Sequence, residues 1–299
     1  MSKFDEIFHG PHKSEEKISL PPFDREEWIQ QKKAEREKAF ELIEQAAEMM
    51  PMDGERVRTY LELQSRFPRY SVGNILLLSI QKPDATRLAD FRSWKEAGIF
   101  IKRGETGILI LEPGGSYKKG DGTAGVRYNT KRVFDVSQTT SKASPEPAVN
   151  RDNRLLLRAL VYNAPCEIKV DGSVPIPENM AARYDPEHCT IYVARGQGGP
   201  ALFREIAREL AHAHMDLGDY DREANAFAAT CVSYMICRRY NVDVSGFDFS
   251  RLPEHFRQMD SKAVRAELGK MRSAAINIET DMDKHFEKHA QAAARDEVR

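Results

Sequence analysis

The stretch YSVGNILLLSIQKPDATRLADFRSWKEAGIFIKRGETGILILEP, residues 70–113, changes its periodicity part-way, and that change sets the fold class. From Val72 to Gln81, and again from Arg87 to Ala97, apolar residues recur at helical spacing, and Gly98 ends the second run. Beyond Gly98 the pattern becomes Ile108-Leu109-Ile110-Leu111, a short β-type run. Its counterpart is Arg132-Val133-Phe134-Asp135-Val136, across a turn-rich stretch from Gly114 to Asn129. Helices are thus followed by a small sheet.

Upstream, residues 1–23 are polar and end in Pro21-Pro22, which reads as a flexible arm. Asp24 with Glu27 has N-cap box spacing and opens a helix to about Met50, broken by Pro51-Met52-Asp53-Gly54. A further helix spans Val57 to Phe67. Downstream, residues 137–150 (SQTTSKASPEPAVN) have the composition of a linker. The second half then reads as a helix from Arg151 to Tyr162, strands at Cys166–Val170 and Thr190–Val193, and helices at Gly199–Met215, Arg222–Tyr240 and Ser261–His289. Gly196-Gln197-Gly198-Gly199 reads as a turn. The expectation is an α+β, mostly helical two-domain protein with a small sheet in each domain: arm 1–23, first domain 24–136, linker 137–150, second domain 151–299.

The 299 residues are 41% hydrophobic and 30% charged, with net charge −1, which excludes a uniformly basic nucleic-acid coat. The total is an average: residues 1–50 carry −4, residues 51–140 carry +5 and residues 141–299 carry −2. The basic segment supplies Lys102, Arg103, Lys118, Lys119, Arg127, Lys131 and Arg132, interleaved with Tyr70, Phe91, Trp94, Tyr117 and Tyr128. Cations that follow phosphates and flat rings that stack bases are what a single nucleic-acid strand requires. Phe91 and Trp94, three apart on a helix, also fit a core. Four cysteines without a C-x-x-C pair exclude a disulfide scaffold, and Cys231 and Cys237 lie in an apolar helical pattern that buries them. No secretory h-region is present and no apolar run approaches the ~18 residues of a membrane span, so the expected location is cytoplasmic, with no membrane partner.

Within residues 70–138, Tyr-Ser-x-x-Asn, Trp-Lys-x-x-Gly, basic-Gly-Glu-x-Gly and Val-Phe-Asp-x-x-Gln occur in that order. This series resembles the N-terminal domain of ArdC-type antirestriction proteins, closest to their LtrC-like relatives on mobile elements of Gram-positive bacteria. The resemblance implies a single-stranded DNA-binding module, with Tyr70, Asn74, Trp94, Lys102, Arg103, Lys118, Lys119, Arg127, Tyr128 and Lys131 as the DNA-binding set. Thr106 departs from the lysine that the family often has in the Gly-Glu-Lys-Gly turn.

In the second half, residues 202–215 read LFREIARELAHAHM. A zincin places His-Glu-x-x-His on one helix, two histidines binding zinc and the glutamate acting as general base. Here Arg208-Glu209-Leu210-Ala211-His212 keeps the glutamate and the second histidine, and Arg208 replaces the first histidine. LtrC-like proteins resemble this half, which implies a zincin-like C-terminal domain. Their expected third ligand falls on Thr230. Glu223, in a context resembling the third-ligand region of ImmA/IrrE-type metallopeptidases, is a substitute ligand beside His212. A guanidinium stays protonated and is no zinc ligand, so the site reads as degenerate and no cofactor is expected. Glu205, Arg208, Glu209 and His212 instead form an i, i+3, i+4, i+7 stripe, in which Arg208 replaces the cation and pairs with Glu205, Glu209 or Glu223.

Three readings follow from the sequence. One is a single-stranded DNA-binding accessory protein of a mobile element, partnered by DNA and by conjugation or restriction proteins. The second is an active zinc metallopeptidase with a rearranged site and Glu209 as its catalytic base, cleaving a regulatory protein. The third is an accessory protein with neither activity.

Overall fold

Helix α1 (Arg25–Glu48) begins where the Asp24 carboxylate accepts hydrogen bonds from the N–H groups of Glu26 and Glu27, and it buries one stripe formed by Ala39, Ile43, Ala46 and Ala47. The computed structural model describes residues 24–118, 120, 122–141, 152–171, 176–177, 180–196, 198–249 and 252–297; the arm at 1–23 and most of the linker lie outside them. Helix α2 (Gly54–Arg66) is capped by Asp53, and helix α3 (Val72–Gln81) by Ser71, which accepts from the Asn74 N–H.

Strand β1 (Leu88–Asp90), helix α4 (Phe91–Glu96), strand β2 (Ile108–Lys118) and strand β3 (Ala124–Asp135) complete the first half. The sheet order is β1-β3-β2, antiparallel throughout, so β2 is an edge strand. Two expectations change here. Residues 87–97 are not one helix, because Leu88–Asp90 pairs with Val133–Asp135 and only then does Asp90 cap α4. The stretch Gly114–Asn129 is not a loop but the outer part of a long hairpin, with a register shift between Pro113 and Ser116. Ser137 to Ser141 continue the first half: Val136–Gln138 form a tight helical turn and Thr139 bridges Ile101.

The second half opens with helix α5 (Asn153–Leu160), capped by Asp152. Strand β4 (Glu167–Val170) runs parallel to β6 (Thr190–Val193), while β5 (Ala182–Asp185), which was not anticipated, pairs antiparallel with β6 on its other side. Helix α6 (Gly199–Met215) carries Pro200 in its first turn and packs against β5. Helix α7 (Arg222–Arg239) is capped by Asp221, buries Cys231 and Cys237, and lies along α6. A short helix α8 (Leu252–Phe256), also unanticipated, precedes α9 (Ser261–Glu297).

The chain is therefore α+β, mostly helical, with two small sheets among the described residues. The buried apolar residues of both halves form one continuous cluster. Helix α9 touches α5, α6 and α7 of the second half and α1 and α3 of the first. Tyr234 and Arg238 of α7 bind Glu62 of α2 across the same boundary.

Candidate nucleic-acid groove and a guanidinium-locked helix pair

The two ends of α3 set the geometry of the first half. Asn74 and Gln81, seven residues apart, lie on one face of the helix and both address the free edge of β2. Asn74 Nδ2 donates to the Leu111 carbonyl and Oδ1 accepts from the Leu111 N–H, both at 2.8 Å. Gln81 does the same with Leu109, both at 2.9 Å. Edge groups that would otherwise lie buried without partners are satisfied by two side-chain amides.

Beside the start of α3, a groove of about 480 Å³ runs over residues of β1, β2 and β3 and is lined among others by Arg69, Tyr70, Asp90, Glu112, Tyr128 and Lys131. Lys131 Nζ sits between Asp90 Oδ2 at 2.9 Å and Glu112 Oε1 at 2.8 Å. Hydrogen bonds to Glu112 and then Asp90 raise the ammonium pKa, and Asp90 is held far below its usual range by the Ser93 N–H and by Lys131. Burial raises the pKa of Tyr70, which stacks on Phe67. Tyr128 remains exposed, edge-on to Phe40.

Of the ten residues expected to meet DNA, the structure thus gathers Tyr70, Asn74, Tyr128 and Lys131 around one groove. The Asn74 amide, however, is committed to Leu111. Trp94 is not a stacking surface: it is buried, donates Nε1–H to the Phe134 carbonyl at 2.9 Å, and carries Arg87 over its ring. Phe91, three residues away, is exposed. Lys102 donates to the Ser137 carbonyl, and Arg103 is exposed in the adjoining turn, where Gly104 has φ +87°. Lys118 and Arg127 are exposed on the outer hairpin, Arg127 over the Tyr117 ring. Lys119 lies outside the described residues. Arg69, Asp90 and Glu112 were missed, and no motif or spacing marks them.

In the second half, α6 places Glu205, Arg208, Glu209 and His212 along one stripe. Arg208 Nη2 donates to Glu205 Oε2 at 2.6 Å, and its Nε approaches Glu209 Oε1 at 3.4 Å. Glu209, 0% exposed, receives a second guanidinium from Arg222 Nη2 at 2.8 Å and the Tyr184 N–H on Oε2 at 2.7 Å. Both carboxylate oxygens are occupied, which is what a buried charge requires. Burial raises the Glu205 pKa, which Arg208 offsets only in part.

His212 is buried, with Nδ1 at 2.9 Å from the Tyr220 hydroxyl, and burial pushes its pKa down to about 4. Glu223 is exposed and does not reach His212, and the Thr230 hydroxyl donates to the Ala226 carbonyl. Arg222 was not foreseen, although a cation in the first turn of a helix opposes the macrodipole and so signals a partner elsewhere. No group of three or more metal-ligating side chains occurs among the described residues. Zinc or manganese does not fit here: the glutamate is already neutralised by two guanidinium groups and one histidine remains.

Residues 33–154 match the family model for the N-terminal domain of anti-restriction factor ArdC. No curated protein matches the chain. Among solved structures, the chain is similar to the antirestriction ArdC protein from plasmid R388. The metal-free structure aligns at 17% identity over 72% of this chain and 86% of that one, with TM-score 0.50. The Mn(II)-bound structure aligns at 13% identity over 80% and 97%, with TM-score 0.52. At these identities the likeness concerns the fold.

Within the matched residues, the motifs that carried the resemblance hold the fold together. Asp135 accepts from the N–H groups of Thr86, Arg87 and Ser137, while Gln138 Oε1 accepts from the Asp135 N–H. Gln138 Nε2 donates to Glu105 and to the Thr106 carbonyl, tying Val-Phe-Asp-x-x-Gln to the Gly-Glu turn. The exposed cations and rings lie largely outside these motifs.

The depressed His212 pKa has a solution signature. NMR titration is expected to find His212 neutral at pH values where an ordinary histidine, with pKa about 6.5, is largely charged. The unfolded chain binds this proton and the folded chain does not, so stability falls as pH drops from about 6.5 towards 4. A half-point for His212 near 6.5 would contradict the burial.

Proposed function

We propose that the chain is a single-stranded DNA-binding antirestriction protein of a mobile element, in which a peptidase-like second half serves as a metal-independent scaffold. The observation that carries this reading is the groove beside Tyr70, Tyr128 and Lys131, within the residues that match the ArdC N-terminal domain. It is supported by the +5 charge of residues 51–140 and by exposed Arg103, Lys118 and Arg127 on the same half. Conjugation or restriction proteins are the protein partners this reading implies. No helix among the described residues is long and apolar enough to cross a membrane.

The scaffold part rests on the double guanidinium contact to Glu209, which stands where a peptidase keeps its general base free for a metal-bound water. Manganese in the R388 protein is a property of that protein's structure.

The test is fluorescence anisotropy with a short labelled single strand across a salt series. Affinity is expected to fall steeply with salt, and Arg103→Ala and Arg127→Ala are each expected to lower the logarithmic slope by about one. Absence of binding at low salt overturns the DNA reading. Metal analysis of tag-free protein is expected to find far less than one zinc or manganese per chain, with a melting temperature indifferent to chelator. Stoichiometric metal abolished by His212→Ala overturns the scaffold reading.

A further inference from the structure

Resting on the single-strand reading, we propose that the groove over the first sheet, beside the start of α3, receives one nucleobase edge-on and prefers bases that carry an exocyclic amino group, with Glu112 as the accepting residue. The groove's charge is the first reason. Its lining cations, Arg69 and Lys131, are balanced by Asp90 and Glu112. A channel that follows phosphates needs a surplus of cations, and two carboxylates repel the backbone. A base edge is neutral, and its amino group is a donor that a carboxylate accepts.

The second reason is the fixed arrangement of these groups. Lys131 Nζ holds Glu112 Oε1 at 2.8 Å and is anchored from the other side by Asp90 at 2.9 Å, so acceptor and donor stand side by side. The Glu112 side chain is 46% exposed and remains open to a ligand. Cytosine and adenine each present an amino donor next to a ring-nitrogen acceptor, which matches a carboxylate beside an ammonium. Thymine presents a carbonyl where cytosine presents its amino group, so its O4 would face the carboxylate.

The third reason is the wall. Tyr128 lines the same groove, and its ring is 39% exposed. A stacking surface therefore adjoins the hydrogen-bonding pair, while exposed Arg127 and Lys118 continue along the hairpin for the phosphates. The cavity of about 480 Å³ suits a nucleotide and not a duplex.

The experiment compares full-length protein on oligo-dC and oligo-dT of equal length, at one salt concentration and mildly alkaline pH, where oligo-dC stays single-stranded. Oligo-dC is expected to bind at least about fivefold more tightly. In Glu112→Gln the amide both donates and accepts, so the dC/dT ratio is expected to fall to near one, with dT affinity kept or improved. Glu112→Ala is expected to behave likewise, with an unchanged melting temperature as the control for folding. Equal affinity in the natural protein, or a ratio that survives both substitutions, overturns the base-edge proposal and leaves single-strand binding standing. Failure to bind either strand at low salt overturns both.

Discussion

Glu209→Ala is expected to destabilise the protein by about 3–5 kcal/mol, the cost of breaking a buried ion pair by removing one partner. The substitution strands the Arg222 guanidinium, weakens the surroundings of Arg208 and leaves the Tyr184 N–H without an acceptor. The sign is the informative part. In a working metallopeptidase the general-base glutamate is held ready for chemistry, and its removal abolishes turnover while the fold stands. Here the same substitution is expected to lower the urea midpoint, and simultaneous Glu209→Leu with Arg222→Met is expected to restore much of it, because an apolar pair leaves no charge unpaired. A Glu209→Ala protein as stable as the parent would show that the guanidinium contacts contribute nothing.

Asp135→Ala is expected to cost about 3 kcal/mol, since three backbone N–H groups lose their acceptor and the Gln138 capping box loses half its contacts. Burial alone would raise the Asp135 pKa, but hydrogen bonds from Ser137, Thr86 and Arg87 outweigh it and hold the carboxyl below the usual range. The folded pKa is therefore the lower one. The contribution is complete above the ordinary carboxylate pKa of about 4 and is lost as pH falls through the depressed folded value. Urea unfolding is expected to separate the two proteins widely at neutral pH and to bring them together in acid. A constant difference across that range would contradict the assignment.

Local signals carried much of the fold. The bounds of α3, β6 and α6 follow from a serine cap, a β-branched run and a first-turn proline, all readable within a few residues. Leu88–Asp90 reads as helix on local grounds because its strand partner, Val133–Asp135, lies more than forty residues away. The outer hairpin reads as loop because most of its residues are exposed; beside the backbone ladder it is held by Tyr128 against Phe40 and Arg127 over Tyr117, contacts that no local period announces. In the second half, the pairing of Arg208 with Glu205 and Glu209 is visible as helical spacing. Arg222 reaches Glu209 from the next helix, which spacing cannot reveal. Asn74 and Trp94 look like ligand-binding residues by type, yet both are spent on backbone groups of the sheet.

Arg272 of α9 donates to the carbonyls of Tyr70 and Arg69, two residues at the mouth of the groove. Arg265 and Ser261 of the same helix hold Glu44 of α1. Two kinds of genetic change therefore have different outcomes for this gene. Substitution of Arg208 or Thr230 removes none of these contacts, because their partners are Glu205, Glu209 and the Ala226 carbonyl. A truncation that removes α9 strips away the strut behind Tyr70 and bares the apolar faces of α1 and α3. The last helix is thus indispensable to a groove whose mouth lies 202 residues earlier in the chain.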